Sequence, residues 1–392
     1  GEPRHPTPQF IKDTLCSHLE GLASYPATAG DIRLRTAFTE WIQRRYQLDL
    51  NPATQVLPIN GSREALFAFA QTVIDGAQPD PMVVCPNPFY QIYEGAALLA
   101  GAQTVFVPSD PARNFAADWD AVDEATWART QLLYVCSPGN PTGAVMPLAE
   151  WQRLFELSDR HGFIIASDEC YSEIYFRDEP PLGSLEAAMK LGRSFKNLVA
   201  FTSLSKRSNV PGLRSGFVAG DAALMKAFLL YRTYHGSAMS PMVQRASVAA
   251  WNDEAHVVAN RELYRAKFAQ VTPLLAQVLD VGGFDLERAV ERKPGFLSPE
   301  YPFEWAGVYQ LEPGTCSLRT GAEAGVLWTA VFFALITAPI LALGYLGQLR
   351  SPLIALGSLA ASTLAFTLSA RGRSLAAHAR EIARAAGEMA RL

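Results

Sequence analysis

One lysine, one carboxylate and one arginine follow one another in this chain in an order that suits a particular cofactor. Lys206 ends a Ser-Leu-Ser-Lys run ahead of Arg214, and Asp168 lies upstream at the end of an apolar run. A lysine amine forms a Schiff base with an aldehyde, a carboxylate favours the protonated form of a pyridine nitrogen, and a guanidinium binds phosphate. Pyridoxal phosphate carries all three partner groups, so these residues predict a pocket for it.

Further donors for the phosphate occur at two places. Ser203 and Ser205 belong to the lysine run, and the turn 61–63, with sequence Gly-Ser-Arg, opens a helix-length pattern. The first N–H groups of a helix point at bound anions, and hydroxyl groups add donors beside them. We therefore expect this turn and the two serines to surround the phosphate.

The surrounding pattern predicts an α/β fold with a mostly parallel sheet flanked by helices. Short apolar runs, several of them rich in β-branched residues, read as strands buried on both faces. They are 83–85, 104–107, 132–135, 163–166 and 198–201. Helix-length patterns such as 63–74 and 148–161 lie between them. Asp168, the turn 137–143 and Lys206 each follow a run, at the sheet edge where such folds bind ligands.

Six blocks of sequence carry a resemblance to a known family. They are 1–8, 60–67, 87–93, 137–143, 167–171 and 203–214. With these blocks in order, the chain resembles the fold-type-I pyridoxal phosphate aminotransferases of the aspartate aminotransferase group. Within that group it is most similar to the N-succinyldiaminopimelate aminotransferases of bacterial lysine biosynthesis.

The resemblance implies a role for each residue around the cofactor ring. Tyr90 would stack on the ring, while Asn140 and Tyr171 would donate hydrogen bonds to its phenolic oxygen. Asp168 would pair with the ring nitrogen, and Lys206 would form the Schiff base. The catalytic residues implied in this way are Lys206, Asp168 and Tyr171.

The resemblance also implies a phosphate site and a partner subunit. Ser62, Arg63, Ser203 and Arg214 would hold the phosphate. Tyr25 matches a tyrosine that family members extend across the dimer interface to the partner's phosphate. The active unit would therefore be a homodimer.

Each of these residues also has an ordinary structural interpretation. A lysine after serine is most often solvated at the surface, and Asp168 at a strand end is more often a helix cap. Tyr90 and Tyr93 taken alone would be half-buried packing, and Tyr25 before a proline would be a loop residue. The ordered blocks favour the cofactor interpretation over these alternatives.

Composition argues against other chemistries. The five cysteines have no paired spacing and the six histidines form no ligand pair, which argues against a metal site or a disulfide framework. Scattered cysteines suit a reducing compartment, so we expect a cytoplasmic protein. The net charge of −4, from 34 basic and 38 acidic residues, offers no basic surface for nucleic acid.

The resemblance covers about residues 1–281 and predicts four segments. Residues 1–48 would form the N-terminal part of a small domain and the dimer contact, with its start missing. Residues 49–281 would form the large domain that binds pyridoxal phosphate, followed by a loop or linker over 282–320. The arginine that binds the substrate carboxylate in the family has no matching block. Arg319 is the one superficial candidate, and its surroundings do not fit.

The last segment, 321–392, predicts an atypical hydrophobic helical tail. The uncharged run 325–346 is long enough to cross a bilayer, and 353–368 is shorter. Flanking arginines would place both ends of this hairpin in the cytosol, so the protein would attach to a membrane through 325–368. Residues 374–392 would form an amphipathic helix. Buried helices and a join of unrelated reading frames are the alternatives.

Three functions remain open from the sequence. The first is an aminotransferase that moves an amino group between an acidic amino acid, N-succinyl-LL-2,6-diaminopimelate, and 2-oxoglutarate. The second is an aspartate or broad-range aminotransferase. The third is a catalytically weak protein that binds pyridoxal phosphate and has a membrane-attached tail. The intact set of cofactor residues favours the first two. The absence of the carboxylate-binding arginine block favours the third, because that contact binds and orients the substrate.

Overall fold

The computed structural model describes residues 3–110, 113–176 and 178–280 of the chain. Strands and helices alternate through these ranges. The strands are β1 Val56–Ile59, β2 Met82–Asn87, β3 Gln103–Asp110, β4 Ala116–Ala117, β5 Thr130–Cys136, β6 Ile164–Asp168, β7 Leu198–Ser203 and β8 Gly216–Gly220. The helices are α1 Gln9–Cys16, α2 Ile32–Tyr46, α3 Ser62–Val73, α4 Ile92–Leu99, α5 Glu124–Arg129, α6 Leu148–His161, α7 Ser184–Lys190, α8 Leu204–Arg207, α9 Ala222–His235, α10 Pro241–Asn252 and α11 Ala255–Asp280.

The eight strands form one sheet in the order β1-β8-β7-β6-β5-β2-β3-β4. β3, β2, β5, β6 and β7 pair in parallel, while β8 pairs antiparallel with β7 and with β1, and β4 pairs antiparallel with β3. The predicted mostly parallel α/β fold is confirmed. All five apolar runs are strands, and the two helix-length patterns correspond to α3 and α6.

Helices cover both faces of the central strands, which explains why their sequences are apolar throughout rather than alternating. In β5, Leu133 and Val135 belong to one hydrophobic cluster, and Leu132 and Tyr134 belong to the other. All four of these side chains are fully buried. The central strands are therefore rigid supports for whatever follows their carboxyl ends.

The carboxyl ends of β5, β6 and β7 lie side by side. Cys136 pairs with Asp168, and Asp168 pairs with Phe201 in the next strand. The ladder continues one step further, because the Ser137 amide donates to the Asp168 carbonyl at 3.1 Å. This register brings the turn after β5, Asp168 and the α8 turn that carries Lys206 to one edge of the sheet.

Several predictions concern residues outside the described ranges. They are the linker 282–320, the helical tail 321–392 with both apolar runs, and Arg319. Among the helices in residues 3–110, 113–176 and 178–280, none is long and apolar enough to cross a membrane.

Candidate active site

Lys206 lies in a short helical turn that starts as soon as β7 ends. The neighbouring Arg207 points into the protein, where its guanidinium donates to Glu254 Oε1 at 2.6 Å and to the Ala250 carbonyl at 2.8 Å. Nζ of Lys206 lies 5.9 Å from the centroid of the Tyr171 ring. The buried arginine anchors the turn, and the lysine amine faces the loop that follows β6.

Asp168 ends β6 with its carboxylate buried. The Tyr93 hydroxyl donates to Oδ2 at 3.2 Å, and the Cys170 amide donates to Oδ1 at 3.2 Å. Burial raises the pKa of Asp168, and the Cys170 and Tyr93 hydrogen bonds and the positive charge of Lys206 partly offset that rise. The protonation state of Asp168 therefore depends on its burial and on its contacts with Cys170, Tyr93 and Lys206.

A second group of residues forms a cradle where α3 begins. Gly61 has φ of 85°, and Ser62 is the first residue of the helix. A Cβ atom on Gly61 would collide with the guanidinium of Arg214, so only glycine lets Arg214 approach this closely. A guanidinium beside the first N–H groups of a helix is a site for an anion. Its chemistry suits a phosphate group.

Ser203 connects this cradle to the loop after β6. Its hydroxyl lies 3.5 Å from Cys170 Sγ, as a hydrogen-bond donor. Burial raises the pKa of the Cys170 thiol, the nearby Asp168 charge raises it further, and hydrogen bonds from Ser203 and Ser62 act against the rise. Ser62, Ser203 and Asp168 therefore surround one thiol, which sequence reasoning missed because no motif marks a lone cysteine.

The turn after β5 is held by its own hydrogen bonds. The Gly139 amide donates to the Ala144 carbonyl at 2.8 Å, and the Met146 amide donates to the Ser137 hydroxyl at 3.0 Å. Asn140 lies on this turn and, with Tyr93, lines a cavity of about 130 Å³. The predicted position of Asn140 at the sheet edge is therefore matched by the structure.

Tyr90 and Arg63 meet at the exposed side of the cradle. Arg63 Nε donates to the Tyr90 hydroxyl, and the guanidinium carbon lies 5.6 Å from the centroid of the Tyr90 ring. The rings of Tyr90 and Tyr93 contact edge to face, with centroids 5.8 Å apart. Tyr90 therefore links the phosphate cradle to the Asp168 side of the site.

This geometry agrees with comparisons with known proteins. The sequence model of the protein family described as aminotransferase class I and II matches residues 1–289 of this chain. The chain is 32% identical to an LL-diaminopimelate aminotransferase of Dehalococcoides mccartyi over 283 residues. This matched region covers 71% of each protein. The chain belongs to the class I and II aminotransferase family.

Solved structures of aminotransferases have the same fold. An aminotransferase from Neisseria meningitidis has a TM-score of 0.69 and 59% identity, over 71% of this chain and 70% of that chain. An aminotransferase from Helicobacter pylori has a TM-score of 0.65 and 40% identity, over 69% and 71% of the two chains. This aminotransferase is an enzyme that depends on pyridoxal phosphate and acts on small-molecule substrates.

The residues of this aminotransferase fit its cofactor. The cradle of Gly61, Ser62 and Arg214 offers a guanidinium and the first N–H groups of α3 to a phosphate, and Asp168 is a buried carboxylate at the same sheet edge. In the described ranges, no group of three or more His, Cys, Asp or Glu side chains is arranged to hold a metal ion.

Tyr25 is the one predicted site residue that the structure does not bring to this edge. Its side chain is fully exposed, and it lines a different cavity of about 250 Å³ with Asp31 and Arg245. The sequence also undervalued Tyr93, which it interpreted as packing. The structure gives this tyrosine a hydrogen bond to Asp168. The only sequence signal was its spacing from Tyr90 within one family block.

Proposed function

We propose that this aminotransferase transfers the amino group of N-succinyl-LL-2,6-diaminopimelate to 2-oxoglutarate and that Lys206 is its catalytic lysine. The observation that carries the proposal is the Lys206 amine on the α8 turn, which lies 5.9 Å from the Tyr171 ring and whose charge partly offsets the rise that burial causes in the pKa of Asp168. An amine held beside a buried carboxylate can bind an aldehyde and later carry a proton.

We assign the remaining residues as follows. Bound pyridoxal phosphate supplies an electron sink for the carbanion that forms when the substrate α-carbon loses its proton. The Asp168 carboxylate keeps the ring nitrogen protonated, and Lys206 moves the proton from the α-carbon. Asn140 and Tyr171 would donate to the phenolic oxygen. Ser62, Arg63, Ser203 and Arg214 would hold the phosphate, and Tyr90 would stack on the ring.

Two observations bear on the substrate. The Dehalococcoides mccartyi relative is named for LL-diaminopimelate, which supports a diaminopimelate skeleton and makes the free amino acid a second candidate. A Thermus thermophilus aspartate aminotransferase has a TM-score of 0.64 and 27% identity, which supports an aspartate or broad-range enzyme as the alternative. A weakly active protein that only binds the cofactor is the remaining alternative.

A half-transamination assay tests this function. Purified protein loaded with pyridoxal phosphate is mixed with N-succinyldiaminopimelate, LL-diaminopimelate, aspartate or glutamate, and conversion of the cofactor to its amine form is followed by absorbance. We expect the fastest conversion with the succinylated substrate. Fastest conversion with aspartate would reject the proposed substrate, and no conversion with any amino acid would favour the weakly active alternative.

A lysine substitution tests the catalytic assignment. Lys206→Ala should abolish both conversion and the covalent cofactor adduct that borohydride traps in the wild-type protein. Lys226→Ala, on α9 and exposed, is the matched control and should leave both unchanged. A trapped adduct that persisted in Lys206→Ala would show that another amine binds the cofactor.

We also propose that the enzyme is a homodimer in which Tyr25 reaches the partner's phosphate. The exposed Tyr25 lies in a segment with other exposed apolar side chains, Leu19, Leu22 and Ile32. Lys206→Ala and Tyr25→Phe protomers should each be impaired alone. Mixed and refolded together, they should regain activity, because one site of a mixed dimer has neither defect. No gain on mixing would contradict a shared site.

We propose the same four segments that the sequence predicts. Residues 1–48 form the dimer contact and part of the small domain, and residues 49–281 form the domain that binds the cofactor. The linker 282–320 and the tail 321–392 follow. Cytoplasmic location and membrane attachment through 325–368 stay predictions from the sequence. Full-length protein that remains monodisperse without detergent would contradict membrane attachment.

A further inference from the structure

We propose that Tyr93 is a positioning residue that fixes the orientation and the charge of the Asp168 carboxylate. The inference rests on the proposed role of Asp168 as the partner of the cofactor's ring nitrogen. Tyr93 would touch neither substrate nor cofactor ring nitrogen and would act only through Asp168.

The hydrogen bonds of Asp168 define this role. Tyr93 occupies the second position of α4, and its side chain is fully buried. Its hydroxyl donates to Oδ2 of Asp168 at 3.2 Å, while the Cys170 amide donates to Oδ1 at 3.2 Å. Donors on both oxygens, with the Cys170 side chain as a further partner of the carboxylate, give the carboxylate plane a single preferred orientation.

The Tyr93 ring is itself held in place. It stacks on the ring of Tyr134, with centroids 4.6 Å apart and planes 9° from parallel. The Tyr134 hydroxyl donates to the Leu66 carbonyl at 2.6 Å, so the stacked pair connects α4 through β5 to α3. α3 is the helix whose first turn forms the phosphate cradle. The donor to Asp168 is therefore fixed to the same framework as the phosphate site.

The groups around the two side chains are few. Asp168, Cys136 and Cys170 face the Tyr93 hydroxyl, and burial followed by the Asp168 charge raises the pKa of Tyr93 well above its ordinary value. The phenol therefore remains a donor across the working pH range. Asp168 faces Cys170, Tyr93 and Lys206, and it also interacts with Cys136 and Tyr171. Cys170 contacts Asp168 through its main-chain amide and through its side chain, and a substitution at Tyr93 leaves both contacts in place.

A buried hydroxyl would be costly if packing were its only purpose. Phenylalanine would fill the same volume and would leave no polar group to desolvate. The hydroxyl of Tyr93 is satisfied by Asp168, and in return it stabilises the charged form of a carboxyl group that burial makes harder to ionise. Loss of this donor would raise the pKa of Asp168 further.

The chain provides a matched pair of variants for the test. Tyr93→Phe removes the hydroxyl that donates to Asp168, and Tyr134→Phe removes the hydroxyl of the stacked partner, which donates to a main-chain carbonyl. Both changes delete one buried hydroxyl from one aromatic stack. Only the first changes the environment of Asp168.

Stability without cofactor gives the first measurement. Because the pKa of Asp168 in the folded protein is raised above its ordinary value of 3.8, its contribution to stability is largest at low pH. That contribution is lost as pH rises from 3.8 through the folded-state pKa. In Tyr93→Phe the loss should be larger, so the gap in midpoint denaturant concentration from wild type should widen as pH rises. In Tyr134→Phe the gap should stay constant.

Three outcomes decide the proposal. If the difference in midpoint denaturant concentration between Tyr93→Phe and wild type depends on pH no more than that for Tyr134→Phe, the proposal is overturned. In an Asp168→Asn background, Tyr93→Phe should no longer change the pH dependence, and a change that persisted there would also overturn it. If Tyr93→Phe does not fold, 3-fluorotyrosine is placed at position 93 instead. It is a stronger donor of nearly the same shape, so the midpoint denaturant concentration should fall less with rising pH than it does in wild type. No change with 3-fluorotyrosine would count against the proposal.

Kinetics separate this inference from the proposed function. Tyr93→Phe should lower kcat about ten-fold on the acid side of the pH profile with little change in KM, which corresponds to one lost hydrogen bond to a charged group. Tyr134→Phe should keep the wild-type profile. Full activity of Asp168→Asn would refute the proposed role of Asp168, while the stability measurement would still report on the contact with Tyr93.

Discussion

The side-chain amide of Asn260 donates a hydrogen bond to the main-chain carbonyl of Lys206, at 3.0 Å, and another to that of Arg207, at 3.2 Å. These carbonyls end α8, which is too short to satisfy them within the helix. Asn209 in turn donates to Asn260 Oδ1 at 2.5 Å. Asn260, in the first half of α11, therefore stabilises the turn that carries Lys206.

Asn260→Ala should loosen the Lys206 turn. It removes the amide that donates to both carbonyls and the oxygen that accepts from Asn209, so we expect a loss of about 1–3 kcal/mol in the free energy of unfolding. We also expect a lower kcat, because the lysine amine loses its fixed position. Gln71→Ala is the control, since it removes one amide-to-carbonyl hydrogen bond far from Lys206. Equal kinetic effects in the two variants would contradict the positioning role.

Gly61→Ala should weaken cofactor binding. The new methyl group would collide with the Arg214 guanidinium and displace it from the start of α3. We expect the dissociation constant of pyridoxal phosphate, measured by fluorescence quenching, to rise about ten-fold or more.

Gly101→Ala is a matched control for the backbone strain. Both glycines have φ of 85°, but a Cβ on Gly101 meets no atom within 4 Å. Both variants should lose about 1–3 kcal/mol of stability, because each places an alanine at a positive φ that a Cβ atom disfavours. Only Gly61→Ala should lose cofactor affinity, and a similar affinity loss in Gly101→Ala would contradict the Arg214 argument.

The sequence predicted the positions of Asp168 and Lys206 because parallel strands bring their carboxyl ends together. It gave no sign of β8, since Gly216 and Gly220 lack side chains with strand character. The structure explains both glycines: a Cβ on either would collide with a carbonyl oxygen of β7. The sequence did not indicate the hydrogen bond from Tyr93 to Asp168, because a contact between residues distant in sequence leaves no periodic pattern.

Glu173→Gln should destabilise the loop that follows Tyr171. The Glu173 side chain is 6% exposed, and it accepts hydrogen bonds from Arg45 Nε at 3.1 Å and Arg261 Nη2 at 3.0 Å. Neutralising it leaves two mostly buried guanidinium groups without their counter-charge. Breaking such a buried group of charges typically costs about 3–5 kcal/mol. Chemical denaturation should show a loss of this size.

Glu156→Gln provides the comparison. Glu156 is exposed on α6 and accepts a hydrogen bond from Gln152 at 3.0 Å. We expect its substitution to change stability by less than about 0.5 kcal/mol. Because Glu173 lies two residues after Tyr171, its loss should also reduce kcat. A Glu173→Gln variant with wild-type stability would show that the two arginines find other partners.

His256 should make the enzyme less stable as the pH falls below neutrality. Its Nδ1 lies 2.6 Å from Asp253 Oδ1, and its Nε2 lies 2.8 Å from the Ser208 hydroxyl, two residues after Lys206. Burial lowers the pKa of His256 below 6.5, and the Asp253 hydrogen bond opposes this while the Arg207 charge reinforces it. The unfolded chain therefore binds a proton more readily than the folded protein does.

The sign of the pH effect follows from that difference. Stability contributed by neutral His256 is complete above pH 6.5 and is lost as the pH falls from 6.5 through the folded-state pKa. His256→Gln keeps a side chain that can hydrogen-bond but cannot titrate, so its denaturation midpoint should fall less than that of wild type between neutral and mildly acid pH. If His256→Gln kept the wild-type dependence on pH, protonation of His256 would not be coupled to unfolding, and the Ser208 contact would serve packing alone.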